Sequence, residues 1–110
     1  MAISYNLFID QGATFSANVT VKDRTNTVRD LTGYSARSQM RRSHYSANST
    51  VITATIGSPV SGNVTLSLSD AATANLKPGR HVYDVEIVSS ANVVERIYEG
   101  IVTVYPEVTR

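Results

Sequence analysis

Two alternating segments, separated by an alanine-rich break, occupy residues 63–88, which read NVTLSLSDAATANLKPGRHVYDVEIV. Apolar residues hold the even positions from 64 to 68 and the odd positions from 83 to 87. Successive side chains of a β-strand point to opposite faces, so each segment predicts a strand with one buried and one solvated face. The break resembles about two turns of helix that begin at Ser69 as N-cap and end before Pro78-Gly79. We therefore expect a strand, a short helix near residues 70–76, and another strand.

The same period of two extends along the rest of the chain. Val, Ile and Thr make up 33 of the 110 residues and Leu only 5, and this β-branched excess favours strands. Turn residues such as Gly33, Pro59 and Gly62 separate the alternating runs. Gly100 interrupts the last run and predicts a bulge or bend there. The expected strands lie near 3–10, 14–22, 34–42, 50–56, 62–68, 80–88 and 93–104, with a short eighth edge strand at 27–30.

These elements predict one all-β domain over residues 1–110. Seven or eight short strands with one crossover helix are typical of an immunoglobulin-like antiparallel β-sandwich of two sheets packed face to face. The chain has no Cys and no Trp, so it lacks the marks of an immunoglobulin domain proper. The residues expected in the core are Phe15, Val19, Val21, Met40, Ile52, Leu66, Leu68, Tyr83, Val85 and Ile87.

Catalytic and metal-binding patterns are absent from the sequence. Without Cys there is no thiol chemistry, and no Ser stands in a Gly-x-Ser-x-Gly turn. His44 and His81 are the only histidines, and we expect both to be surface residues. The acidic residues of the last two strands favour a solvated face over a calcium site, which uses loop oxygens. We predict a non-enzymatic chain with no cofactor, no metal and no small-molecule substrate. No apolar run reaches the roughly 18 residues that cross a bilayer, which disfavours a membrane partner.

Charge divides unevenly along the chain. Residues 1–55 carry a net charge of +3 and residues 56–110 a net charge of −2. A basic stretch near residues 37–42 could meet nucleic acid, but the mild pI disfavours that partner. It could instead meet an acidic face on another copy, head to tail, or merely balance charges within one molecule. The residues expected in an interaction surface are Arg37, Arg41, Arg42, Glu95 and Glu99. We also expect Ile97, Ile101 and Tyr105 to point outward from the last strand.

Four segments carry a family resemblance. Their order and spacing resemble small virion-associated proteins of tailed bacteriophages, notably of marine cyanophages, and N-terminal domains of phage baseplate and tail-fibre proteins. The segments are Asp10 to Phe15 (DQGATF), Asp30 to Arg37 (DLTGYSAR), Leu76 to Glu86 (LKPGRHVYDVE) and Glu99 to Val104 (EGIVTV).

The resemblance implies an immunoglobulin-like sandwich with a structural or attachment role in the virion, whether in tail, baseplate, neck or capsid surface. It implies no catalytic residues. The expected partners are other virion proteins and a second copy of the chain, after folding in the host bacterial cytoplasm, a compartment that the lack of Cys suits. The alternative is a carbohydrate- or host-surface-binding module that uses exposed aromatic side chains. Its candidate residues are Tyr5, Tyr34, Tyr45, Tyr98 and Tyr105.

Overall fold

A computed structural model describes residues 3–22 and 25–108. Strands dominate it, as the sequence predicts, and the single α-helix is α1 (Asp70–Ala74). A one-turn 3-10 helix covers Pro59–Ser61. The strands are β1 (Ile3–Ser4), β2 (Leu7–Asp10), β3 (Phe15–Thr20), β4 (Ser35–Arg41), β5 (Thr50–Ser58), β6 (Asn63–Leu68), β7 (Gly79–Val88) and β8 (Val94–Tyr105).

All eight strands belong to one mixed sheet that curls into a half-barrel. The strand order is β1-β8-β7-β4-β5-β6-β3, and β2 also pairs with β8. β5 serves both halves of the curl, because residues 50–52 pair with β4 whereas residues 53–58 pair with β6. The two ends of the sheet are joined by Tyr98, whose Oη donates to the carbonyl of Thr20 at 2.7 Å.

The prediction of purely antiparallel pairing is wrong at one edge. β1 and β2 both run parallel to β8, in one register that pairs Ile3 with Tyr98 and Leu7 with Val102. The chain leaves the ladder between them, and the Asn6 side chain compensates by accepting a hydrogen bond from the Ile101 N–H at 3.1 Å. Alternation reveals which face a strand buries but not the direction of its neighbour, so the sequence does not distinguish the two pairings.

The helix and the turns follow their local sequence signals. Ser69 caps α1, since its Oγ accepts from the Ala72 N–H at 3.2 Å, although the helix ends two residues earlier than predicted. Asp30 closes an Asx turn by accepting from the N–H and Oγ1 of Thr32 at 2.9 and 2.6 Å. These two hydrogen bonds stabilise the carboxylate and lower the pKa of Asp30. The predicted edge strand at 27–30 is absent: only an isolated bridge joins Lys22 to Val28.

The core lies inside the curl of the sheet. Nine of the ten predicted core residues are buried, and Phe15 is partly buried against them. Tyr83 packs inward and donates its hydroxyl to the Tyr5 carbonyl, and burial raises the pKa of that phenol. Further buried apolar residues are Leu7, Ile9, Leu31, Val64, Leu76, Ile97, Val102 and Val104.

The bulge or bend predicted at Gly100 in β8 occurs at another residue of that strand. β8 bulges at Ile97, where the register with β7 shifts between Val85 and Glu86. The extra residue turns Ile97 inward, so it is buried, and the prediction that it faces outward is wrong. Gly100 serves a different purpose, because a Cβ there would lie 2.3 Å from the Tyr5 carbonyl oxygen. It lets the edge strand approach β8 closely.

Candidate interaction surface

The outer face of the sheet is the side of β4, β7 and β8 that points away from the core. Alternation places the even residues of β7 on this face, because the odd ones are buried. The register aligns Asp84 with Glu99 on β8 and Glu86 with Arg37 on β4. A shallow groove of about 250 Å³ runs across the three strands. It is lined by Gln39, Arg41, His44, Val82, Tyr83, Asp84, Glu86, Arg96 and Glu99.

Ion pairs within the molecule neutralise much of this face. Arg37 Nε lies 2.7 Å from Glu86 Oε1. Arg96 serves two carboxylates, with Nε 3.6 Å from Asp84 Oδ2 and Nη1 3.2 Å from Glu99 Oε1. The outer face is therefore a mixed-charge surface and not the basic face that the sequence suggested.

Asp84 is the residue of the outer face whose pKa is shifted by its surroundings. Partial burial raises its pKa, and the negative charges of Glu86 and Glu99 act in the same direction. Arg96 and His44 oppose this shift. Asp84 thus pays a desolvation cost when ionised that its arginine partner only partly offsets.

The predicted interaction residues do not form one patch. Arg37, Arg41 and Glu99 lie on the outer face. Arg42 points to the end of the sheet, where Nη1 donates to the Pro78 carbonyl at 3.3 Å. Glu95 lies before the bulge and so faces the other way.

Glu95 instead closes a contact with the segment before β4. Its Oε2 accepts from Arg29 Nη1 at 2.6 Å, and the same guanidinium stands 5.8 Å from the centre of the Tyr34 ring. The hydrogen bond that Arg29 donates to Glu95 raises the pKa of Arg29. Arg41 is likewise used locally, since Nη1 donates to the carbonyls of Ser46 and Ala47. Both contacts order loops, and they leave these side chains less available to a partner.

An apolar strip continues the outer face toward the edge of the sheet. Phe8 on β2 and Tyr105 on β8 stack with ring centres 6.3 Å apart, yet they remain 62% and 48% exposed. Ile101 is also exposed, and it lies across from Val82. The outward direction of Phe8 follows from its buried neighbours Leu7 and Ile9, so alternation could have identified it. Alternation could not have placed Arg96 on the outer face, because only the bulge brings it to the same face as Glu99.

A second concavity, the edge cleft, opens between β1 and β3, the two ends of the sheet. Its volume is about 470 Å³. Tyr5 and Tyr98 meet edge to face in it at 6.2 Å. Lys22 is its only charged lining residue, within the described parts of the chain. The full lining is Ile3, Tyr5, Asn18, Val19, Thr20, Lys22, Asn26 and Tyr98.

The two histidines lie in different environments, one buried and one exposed. His81 is buried, which contradicts the surface prediction, because it occupies an inward position of β7. Its Nε2 lies 2.8 Å from the Lys77 carbonyl. His44 is exposed beside the groove, and Tyr45 is almost fully exposed. Over residues 3–22 and 25–108, no three His, Asp or Glu side chains come together as a metal site. In the same ranges, no helix is long and apolar enough to cross a membrane.

Comparison with known proteins bears on the fold alone. No protein-family model matches the chain, and no curated protein matches it. Among solved structures it is similar to an internalin-like protein of Listeria monocytogenes, with a TM-score of 0.50 and 14% sequence identity. The match covers 94% of this chain but only 28% of the internalin-like chain. At this identity the likeness supports an all-β domain and carries nothing about activity or partners.

Proposed function

We propose that the chain is a non-enzymatic structural protein of a bacteriophage virion and acts through protein–protein contacts. It folds in the host cytoplasm and joins the tail, baseplate, neck or capsid surface. We further propose that the half-barrel is a variant of the immunoglobulin-like sandwich. The division of β5 between β4 and β6 supports this, because it splits the sheet into two facing halves around the core.

The observation that carries the functional proposal is the exposed apolar strip beside a sheet edge that no other strand covers within residues 3–22 and 25–108. Phe8, Ile101 and Tyr105 leave apolar side-chain surface exposed to water. Contiguous exposed apolar side chains at an edge mark a contact site. The neighbouring groove, by contrast, has its charges paired within the molecule. The surface therefore suits docking better than chemistry on a small substrate.

Mass spectrometry of density-purified particles tests the proposal. Particles from the phage that encodes the chain should contain it at a fixed copy number relative to the major capsid protein. A host protein of similar abundance in the lysate serves as the control for carry-over. Presence in the lysate with absence from the particles would contradict the proposal.

A carbohydrate- or host-surface-binding module is the second candidate. It is favoured by the stacked Phe8–Tyr105 pair, since exposed aromatic faces bind sugar rings. Of the five tyrosines predicted for this role, Tyr34 and Tyr98 are already engaged by Arg29 and Thr20. A glycan array separates the candidates: saturable binding that Tyr105→Ala abolishes supports the sugar module, and no binding supports the structural role.

A further inference from the structure

The strands at the two ends of the sheet each leave one edge without a neighbouring strand among the described residues. They are β1–β2 at one end of the strand order and β3 at the other. The N–H groups of Tyr5 and Gln11 bond to β8 carbonyls at 2.8 and 2.9 Å. By alternation, the N–H groups of Ser4, Phe8 and Asp10 point away from β8. This edge presents a row of backbone donors and acceptors to the surroundings.

The β3 edge has the same character. Val21 N–H bonds to the Gly62 carbonyl, which continues the β3–β6 ladder at odd positions. The backbone groups of Ser16 and Asn18 therefore point away from β6. The Thr20 carbonyl also points this way, and there it receives the Tyr98 hydroxyl.

Neither edge carries a basic residue or a proline that would prevent strand addition, although β1 and β2 are short and are interrupted at residues 5–6. Natural edge strands are blunted by Lys, Pro or bulges. β1, β2 and β3 contain no Lys, Arg or Pro, and Asp10 is their only charge. An edge left open in this way is suited to pair with another strand.

Both edges also lie on one side of the molecule, since Ile3 and Tyr5 line the edge cleft together with Asn18 and Thr20. A second copy that presents the same side can therefore meet both edges at once. In a two-fold dimer both copies use the same surface patch, so one self-complementary side of the molecule is sufficient to form the interface. Asp10 stands at the end of β2, so antiparallel registers centred near Phe8 keep the two copies of Asp10 apart.

We propose that this side of the molecule is the contact with a second copy, in a two-fold dimer that extends the sheet through both uncovered edges. The proposal rests on the assembly role proposed above. Tyr5, Phe8 and Tyr105 are 46–62% exposed, and together they offer roughly 300 Å² per copy. A stable interface buries about 1,200 Å² or more in total, so the strand backbones must supply the rest. The dimer is therefore expected to be weak, with dissociation in the micromolar range.

Sedimentation equilibrium over a concentration series tests the dimer with two edge variants and one control. Phe8→Lys places a charge on the β1–β2 edge, and Ser16→Pro removes an N–H of β3 that does not bond to β6. The control, Val51→Lys, makes the same apolar-to-Lys change at a 64% exposed position on β5, an interior strand that pairs with β4 at this residue and belongs to neither terminal edge. Each edge variant should weaken dimerisation at least about tenfold, or 1.4 kcal/mol, whereas the control should stay within about twofold.

A second measurement covers the case in which an edge variant fails to fold. Hydrogen exchange of the wild-type Phe8 and Asn18 amides should slow as protein concentration rises, whereas the Val51 amide should not change.

Several results would overturn the dimer. They are a wild-type monomer at high micromolar concentration, oligomers larger than a dimer, loss with only one edge variant, or equal weakening by Val51→Lys. A monomer in this assay leaves the virion role standing if the chain is found in purified particles. If the chain is absent from purified particles but forms a dimer that the edge variants weaken, only the proposed virion role is contradicted.

Discussion

Gly100→Ala tests how closely the edge strand must approach β8. A Cβ at this position would lie 2.3 Å from the Tyr5 carbonyl oxygen and 2.9 Å from its carbonyl carbon. Both are backbone atoms, so no flexible side chain can move aside. Real Cβ contacts start near 3.0 Å, so the backbone at Tyr5 must move away from β8 by about 0.7 Å.

That retreat weakens three hydrogen bonds at once. They are the Tyr5 N–H to the Glu99 carbonyl at 2.8 Å, the Tyr83 hydroxyl to the Tyr5 carbonyl, and the Ile101 N–H to Asn6 Oδ1 at 3.1 Å. At about 0.5–1.5 kcal/mol each, their combined loss should lower the free energy of unfolding by about 2–4 kcal/mol.

Urea unfolding with linear extrapolation measures the effect. Gly57→Ala is the matched control, because no atom lies within 4 Å of a Cβ there and its φ is not positive. It should change stability by less than about 0.5 kcal/mol. Equal effects of the two substitutions would refute the close-approach explanation, as would a large effect of Gly100→Ala with normal hydrogen exchange at the Tyr5 amide.

Three further predictions concern the core, the loop contact of the helix and the outer face. Leu66→Ala should lower the free energy of unfolding by about 2–5 kcal/mol, because Leu66 is fully buried. Truncating Phe8, which is 62% exposed, should lower it by less than about 0.5 kcal/mol. Equal shifts of the thermal midpoint would contradict the predicted facing of the strands. Thr73→Val keeps the shape of the side chain but removes its hydrogen bond of 2.9 Å to the Ala13 carbonyl. Urea unfolding should therefore show a stability loss of about 1–3 kcal/mol, and an unchanged stability would contradict the importance of this hydrogen bond. Asp84→Asn should stabilise the protein at neutral pH by at most about 0.5 kcal/mol, because the raised pKa means that ionisation opposes folding and because solvent screens this partly exposed carboxylate. The gain should shrink as the pH falls through the raised pKa of Asp84 and disappear below the pKa of an unfolded Asp. A gain that persists at acidic pH would contradict the electrostatic cause.

Most of the fold was predictable because the chain alternates strictly. Period-two patterning identified β3 to β8 to within a few residues, since burying one face of a sheet needs no more than alternation. Ser69 and the alanine-rich break located α1 for the local reason that a cap and its helix are neighbours in sequence. The turn at Asp30 is equally local, because both of its hydrogen bonds end at Thr32.

The candidate surface was less predictable, because it depends on pairings between distant strands. Arg37 and Glu86 are 49 residues apart and meet only through the register of β4 with β7. The basic stretch at residues 37–42 therefore suggested an excess of charge that the folded chain neutralises in part.

The sequence alone determined the all-β class, the short helix and the facing of nearly every core residue, because each depends on neighbours one to four positions away. Only the tertiary structure decided the parallel pairing of β1 and β2 with β8, since both directions satisfy the same alternation. It also decided the bulge at Ile97, which reverses the facing along half of β8 and separates Glu95 from Glu99. One extra residue in a strand exchanges its faces, and no local pattern marks where that residue falls.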